Sequence, residues 1–454
     1  MRTTPFLLGT LATVFAGFIL PACGSSSKSG GGSPTTDAGD AGHVVPHDAA
    51  ASETGAAEGG DDGGGAEAGI PGYPAFPPAM AQLSNLSKGP IITTPHIVTV
   101  SWSSDPSTPQ YQAFDDAIGA SDYWKGLAEY GVGAATSVAA DHVVITAATP
   151  NPWDTQDIDS WAYGMIKGAP GNGWPAPDDQ TIYLVYAPSN INVTQGGGAA
   201  CGYEGGYHTQ LLTGSSPHGV AYALVLPCGP ASGQSVQDNA TTTAAHELAE
   251  AVTDPYPGYA PAFNGFDTGS LGWALWLTWQ NEIADACEMF RDTYYTGTGN
   301  LPYALSRYWS NSSANAGHNP CVPTPAGTYN NVTPLGLETV KVIATDLYGN
   351  QNPYTTMGWH ITPGQTASVS VGLNSDAPNG GWGVQAYEGD CCNSPTSYLT
   401  VTPASFTGKN GDTVPLTIKV NSAPTDGTNT ILLTFWSATG NKLNHYMPVI
   451  IGAY

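Results

Sequence analysis

The chain reads as a mixed α+β domain followed by an all-β sandwich, and three observations predict this. Strand-like and helix-like runs alternate up to about residue 240. From about residue 335 helical periodicity stops, and short β-branched runs separated by Gly, Pro, Asn or Asp take over. Ahead of both, residues 24–85 are dominated by Gly, Ala, Ser, Asp and Pro. At 454 residues the chain exceeds one ordinary core. The expected division is 1–23, a leader; 24–85, a disordered tether; 86–330, the α+β domain; and 335–454, the sandwich.

The elements follow in order. Ile97-Val-Thr-Val-Ser-Trp102 alternates and is β-branched, which predicts a strand. Gln112–Ile118, Ser121–Tyr130 and Asp154–Met165 have helical spacing, and Asp141–Thr146 reads as a strand. Thr181–Tyr186 is apolar on both faces and suits a sheet centre. Ala221–Leu226 predicts another strand. Ser235–Val252 is the strongest helix, stopped near Asp254 because Pro255 pushes its predecessor out of the α region. In the last third, Val340–Ile343, Ala367–Gly372, Trp382–Tyr387, Tyr398–Val401, Thr413–Val420 and Ile431–Trp436 are strands, an immunoglobulin-like sandwich by pattern.

Charge narrows the partners. The formal net charge is −25, with 11 Lys+Arg against 36 Asp+Glu, so the surface repels phosphate backbones and no nucleic acid is expected. The many Gly, Pro and Tyr residues suit loop-rich extracellular structure. The N-terminus reads as an export signal: Arg2, then an apolar run from Phe6 to Leu20 too short to span a bilayer well. Leu20-Pro21-Ala22-Cys23-Gly24 resembles a bacterial lipobox, with Pro21 departing from the usual small residue. That resemblance implies cleavage before Cys23, a lipid on its sulfur, and a protein anchored to the bacterial envelope and exposed outside the cytoplasm; a plain signal cut near Ala22 is the alternative. An even set of cysteines remains in an exported chain, which favours disulfides. Cys201–Cys228 and Cys287–Cys321 are the expected pairs as sequence neighbours, although other pairings stay open. Adjacent Cys391 and Cys392 either bridge each other or stay reduced.

The chemistry concentrates in Ala244-Ala-His-Glu-Leu-Ala-Glu-Ala-Val-Thr-Asp254. His246 and Glu250 are four apart and share a helix face. Two convergent ligands on a rigid element are what a divalent metal needs, and Glu247 beside them can act as base on a water the metal polarises. Asn281-Glu-Ile-Ala-Asp-Ala-Cys-Glu288 follows, with Glu282 and Asp285 three apart as the further ligands. His-Glu-x-x-Glu resembles the zinc helix of thermolysin-like gluzincins, and Asn281-Glu282 resembles their third-ligand segment across a longer gap. The resemblance implies a metallopeptidase-like domain using Zn²⁺ or another divalent ion. His246-Glu-Leu-Ala-Glu-Ala-Val-Thr-Asp-Pro255 with Glu282–Glu288 also resembles Exordium-like (phosphate-induced) proteins and their bacterial relatives, over residues 90–325. Cys201-Gly202-Tyr203, Cys228 and Cys321 fit that pattern. A His commonly follows the first of these cysteines in the family; here Glu204 stands there and His208 lies four beyond.

These readings imply an exported zinc metallohydrolase, a divergent peptidase with Glu247 as base and His246, Glu250, Glu282 and Asp285 around the metal. The alternative is a non-catalytic surface protein contacting polysaccharide or a neighbouring cell, in which any metal is structural. Glu250 in place of a second His weighs against the enzyme, because two carboxylates neutralise Zn²⁺ and weaken it as a Lewis acid. His96, His142 and His208 are expected to be surface or packed histidines. Trp273, Trp276 and Trp279 recur at three-residue spacing and are expected on a half-buried helix or loop flap rather than lining a cleft, and Tyr308-Trp309 is expected to pack in the core.

Overall fold

The structure is a computed structural model. It describes residues 72–454 apart from 203, 215–216, 230–233, 279–280, 289, 291, 347–348, 390–396 and 440–442. The leader, Cys23, residues 24–71 of the tether, Tyr203, Trp279, Cys391 and Cys392 lie outside the described residues. Those described belong to one compact unit.

A five-stranded sheet is the frame of the first half. Its strands are β1 (His96–Trp102), β2 (His142–Ile145), β3 (Thr181–Tyr186), β4 (Gly206–Leu211) and β5 (Val220–Val225), in the order β2-β1-β3-β5-β4. The first four in that order are parallel, and β4 joins antiparallel as an edge. Every residue of β3 and β5 is buried, as the unbroken apolar runs require of central parallel strands. Helix α1 (Thr108–Ile118) covers one face, with Tyr111, Phe114 and Ile118 against Ile97, Ile182 and Leu184. Helix α2 (Thr155–Gly168) covers the other, with Ile158, Ala162 and Ile166 against Val98, Tyr183 and Val185. The Ser121–Tyr130 segment departs from a single helix: one α turn, Asp122–Lys125, passes at Gly126 into a 3₁₀ turn. Gly126 is pressed against the Tyr308 hydroxyl, and a side chain there would overlap it.

Helix α3 (Val236–Thr253) lies on the α1 face. Ser235 caps it, accepting from the Asp238 amide while the Asp238 carboxylate accepts back from the Ser235 amide. Ala240, Ala244, Ala245, Ala249 and Ala251 are buried, so the helix sits close to β4 and β5. Two short helices follow, α4 (Leu271–Trp276) and α5 (Asp285–Glu288).

The last third forms two facing sheets, as the texture change predicts. One runs Asn330–Leu335, Thr366–Ser375, Thr413–Val420, Leu399–Thr402; the other runs Glu338–Thr345, Gln351–His360, Leu443–Gly452, Thr430–Thr439, Trp382–Glu388, Ser405–Gly408. Val371, Leu373 and Ile418 of the first meet Leu433, Phe435 and Val449 of the second in one core. Strand Asn330–Leu335 occupies the boundary that composition places at 330–335. The sandwich core continues into the core under α3 through Trp273 and Trp276, which are fully buried rather than half-buried and contact Trp309 and Tyr446. Tyr308 and Trp309 are likewise interior. No helix among the described residues is long and apolar enough to cross a membrane.

The segment 72–85 corrects the tether expectation. Ala81 and Leu83 are buried, and Leu83 donates to Asn311 Oδ1 and accepts from Asn311 Nδ2, both at 2.8 Å. The Phe76 amide donates to Asn374 Oδ1 at 2.8 Å. Composition averaged over a window misses the few apolar residues that make a polar segment worth ordering.

Candidate metal centre

Three segments build the centre. Helix α3 carries His246, Glu247 and Glu250 on its last turns. The segment leading into α5 brings Glu282 and Asp285. The third contributor, β4, brings His208, which the sequence analysis assigned to surface or packing. Strand alternation sends Tyr207 to the α2 face, where its hydroxyl donates to Asp159 at 2.6 Å, and so sends His208 toward α3. Gly205 and Gly206 permit this approach. A Cβ on Gly206 would stand 2.4 Å from the Leu224 carbonyl oxygen and 2.6 Å from Thr243 Cγ2. The two glycines ahead of a polar alternation were the sequence signal for His208.

His246 Nε2 is 3.2 Å from Glu250 Oε2 and 3.5 Å from Asp285 Oδ1. His208 Nδ1 is 3.5 Å from Glu247 Oε2 and 3.6 Å from Glu250 Oε2. His208 Nε2 is 3.7 Å from Glu282 Oε1 and 3.1 Å from the Asp254 carbonyl oxygen. Glu250 Oε1 accepts from the amides of Ala284 at 3.2 Å and Asp285 at 2.9 Å, which locks helix to ligand segment. The structure therefore brings His246, Glu250 and Asp285 together as predicted. Glu282 does not share the His246 group and lies by His208 instead. Two ligand-capable groups result: His246, Glu247, Glu250 and His208, Glu250, Glu282, with donor atoms within 4.8 Å in each.

Glu247 stands differently from its expected place over an open position. Its side chain is 6% exposed and its Oε2 is turned to His208. Asp285 at 25% and Glu282 at 19% are more exposed than Glu247 and Glu250. Tyr294, which is exposed, is hydrogen-bonded to Glu288.

Electrostatics follow from burial and proximity. Burial opposes a charged His208, but Glu282, Glu247 and Glu250 overcome it and hold the imidazole well above its usual range. His246 is raised in the same way against burial by Glu250 and Asp285. Burial pushes up Glu247, Glu282, Asp285 and Asp254, and takes Glu288 to about 7. Glu250 is the exception: the two imidazoles outweigh burial and hold its carboxyl well below the usual range. Burial, then the Glu247 charge, raises Glu204 to about 7.

The donor set fits a divalent ion. Separations of 3.5–3.7 Å are too long for hydrogen bonds. Donor atoms sharing a tetrahedral ion at about 2.1 Å stand roughly 3.4 Å apart, which is the spacing found here. With Nε2–H donating to the Asp254 carbonyl, His208 presents the Nδ1 lone pair to the centre, the support a ligating His normally has.

The disulfides Cys201–Cys228 and Cys287–Cys321 both form, as expected from sequence proximity. The second begins within α5 and ends on the two-residue strand paired with Tyr308–Trp309.

No protein-family model matches the chain, and no curated protein matches it. Among solved structures, wild-type OgpA from Akkermansia muciniphila is 12% identical with a TM-score of 0.20, covering 80% of this chain and 94% of that one. The periplasmic chaperone SfaE is 12% identical with a TM-score of 0.18, covering 20% of this chain, which thus spans 50% of the chaperone. A β-glucosidase from Listeria innocua in complex with glucose is 10% identical with a TM-score of 0.17, covering 82% and 48%. Likenesses this slight assign neither family nor activity to the chain.

Proposed function

We propose that the chain is an exported, lipid-anchored zinc metallohydrolase, a divergent peptidase whose metallopeptidase-like domain is joined to an immunoglobulin-like sandwich. The observation that supports it is the meeting of two imidazoles, His208 and His246, about the Glu250 carboxylate, with Asp285 beside them and partly exposed. A divalent ion bound there would supply a Lewis acid for a scissile carbonyl. His246 and Glu250 are held one helical turn apart, and Glu250 is fixed further by the amides of α5. The Asp254 carbonyl sets the His208 tautomer. Glu247 is the neighbouring carboxylate left to accept a proton, and its burial keeps it from bulk water. The substrate is an extracellular protein or polysaccharide reached from the envelope.

The test is metal analysis of the purified chain with hydrolysis of an unstructured protein such as casein. Zinc should co-purify, and His246→Ala should lose hydrolysis together with the ion that His246 holds. Glu247→Gln should keep the metal and lose hydrolysis by about 10²–10⁴-fold. A second reading has its own support: Glu247 is almost fully buried against His208, as in a metal centre that only clamps a surface-interaction protein. Bound zinc with no hydrolysis in the wild type would favour that reading; no bound metal at all would refute both.

A further inference from the structure

We propose that the centre holds two divalent cations, one served by His246 and one by His208, with Glu250 shared between them. This rests on the metal-centre reading above and extends it in the number of ions and the residues assigned to each. The two ligand-capable groups each contain their own imidazole and meet only at Glu250. A carboxylate of the later segment also stands beside each imidazole: Asp285 Oδ1 at 3.5 Å from His246 Nε2, and Glu282 Oε1 at 3.7 Å from His208 Nε2, the nitrogen that donates to the Asp254 carbonyl.

Charge points the same way. Glu247, Glu250, Asp254, Glu282 and Asp285 crowd one pocket, and among the described residues their ion pairs are with His208 and His246 alone. One divalent ion leaves a surplus of carboxylates that burial makes expensive, whereas two come close to neutrality. An independent sign is Asp254. It is fully buried, and its Oδ1 accepts from the Ala262 amide at 2.7 Å. Its carboxyl is hydrogen-bonded to that of Glu282. Two buried carboxyl groups held together by a shared proton are a place where a cation can replace that proton. Asp254 Oδ2 is therefore assigned, with Glu282, His208 and Glu250, to the second ion. Mixed imidazole and carboxylate donors suit Zn²⁺ or Mn²⁺.

The experiment strips the full-length chain with a chelator, dialyses it against Zn²⁺, and counts bound ions by mass spectrometry. Two Zn²⁺ per chain are expected in the wild type. His246→Asn and His208→Asn should each retain one, and Asp254→Asn should weaken one of the two by about 10–100-fold. Loading with Mn²⁺ should give the electron paramagnetic signal of an exchange-coupled pair, which decides the matter even where a variant fails to fold. One ion per wild-type chain overturns the proposal while leaving the metal-centre reading intact; none overturns both. Two ions without exchange coupling would overturn the sharing of Glu250.

Discussion

Cutting the Cys287–Cys321 bridge tests how the ligand segment is held. The bridge closes a loop of 34 residues, and loop-closure entropy of that length is worth about 4 kcal/mol against the unfolded chain. The local consequence is more specific. Cys321 pairs with Trp309 across a two-residue ladder, the Trp309 amide donates to the Ile283 carbonyl at 2.7 Å, and Cys287 returns to Cys321. This ring surrounds the turn that presents Glu282 and Asp285 and that supplies two amides to Glu250. The double variant Cys287→Ala/Cys321→Ala should lower the unfolding free energy of the metal-free chain by about 4 kcal/mol in a denaturant titration. Its Zn²⁺ affinity by calorimetry should fall by about 10–100-fold, the scale seen when support of a ligand is removed. A full stability loss with unchanged Zn²⁺ affinity would refute the clamp. Unchanged stability would refute the entropy argument.

Two further outcomes follow from the fold. Asp115 is fully buried under β1 and β3, accepting from Thr99 Oγ1 at 2.6 Å and Tyr186 Oη at 2.8 Å, and burial raises it to about 7. A carboxyl with a raised folded pKa binds its proton more tightly folded than unfolded, so stability is lost as pH rises from about 4 to about 7. The difference amounts to about 4 kcal/mol, and Asp115→Asn should remove that slope; parallel pH–stability curves for wild type and variant would contradict it. Starting the chain at residue 86 removes Leu83 and both Asn311 hydrogen bonds, at about 2 kcal/mol for the side chain and about 1 kcal/mol per bond. Equal unfolding free energies for chains starting at residues 72 and 86 would contradict the packing of this segment.

Local pattern carried much of the architecture. β3 matched its predicted bounds because an unbroken apolar run has no polar face to turn outward. Helix α3 begins after its Ser235 cap and ends before Asp254-Pro255, since caps and prolines act within a turn. Sandwich strands such as Gln351–His360 were missed because their exposed faces are polar and a Pro interrupts the alternation. His246, Glu250 and Asp285 were legible because helical periodicity and a short motif place them before any tertiary contact forms.

The rest depended on contacts between distant segments. His208 became part of the centre because β4 joins the sheet antiparallel beside β5 and two glycines let it settle on α3. Glu282 moved from His246 to His208 because the turn before α5 is oriented by its amides on Glu250. Residues 72–85 fold onto the body because their backbone amides find asparagine partners more than two hundred positions away. Sequence alone determined the elements, the two-part texture and the helix-borne half of the centre, since these rest on periods of two and 3.6 residues. Tertiary structure alone decided which imidazole faces which carboxylate, because proximity across the chain is set by packing and not by spacing.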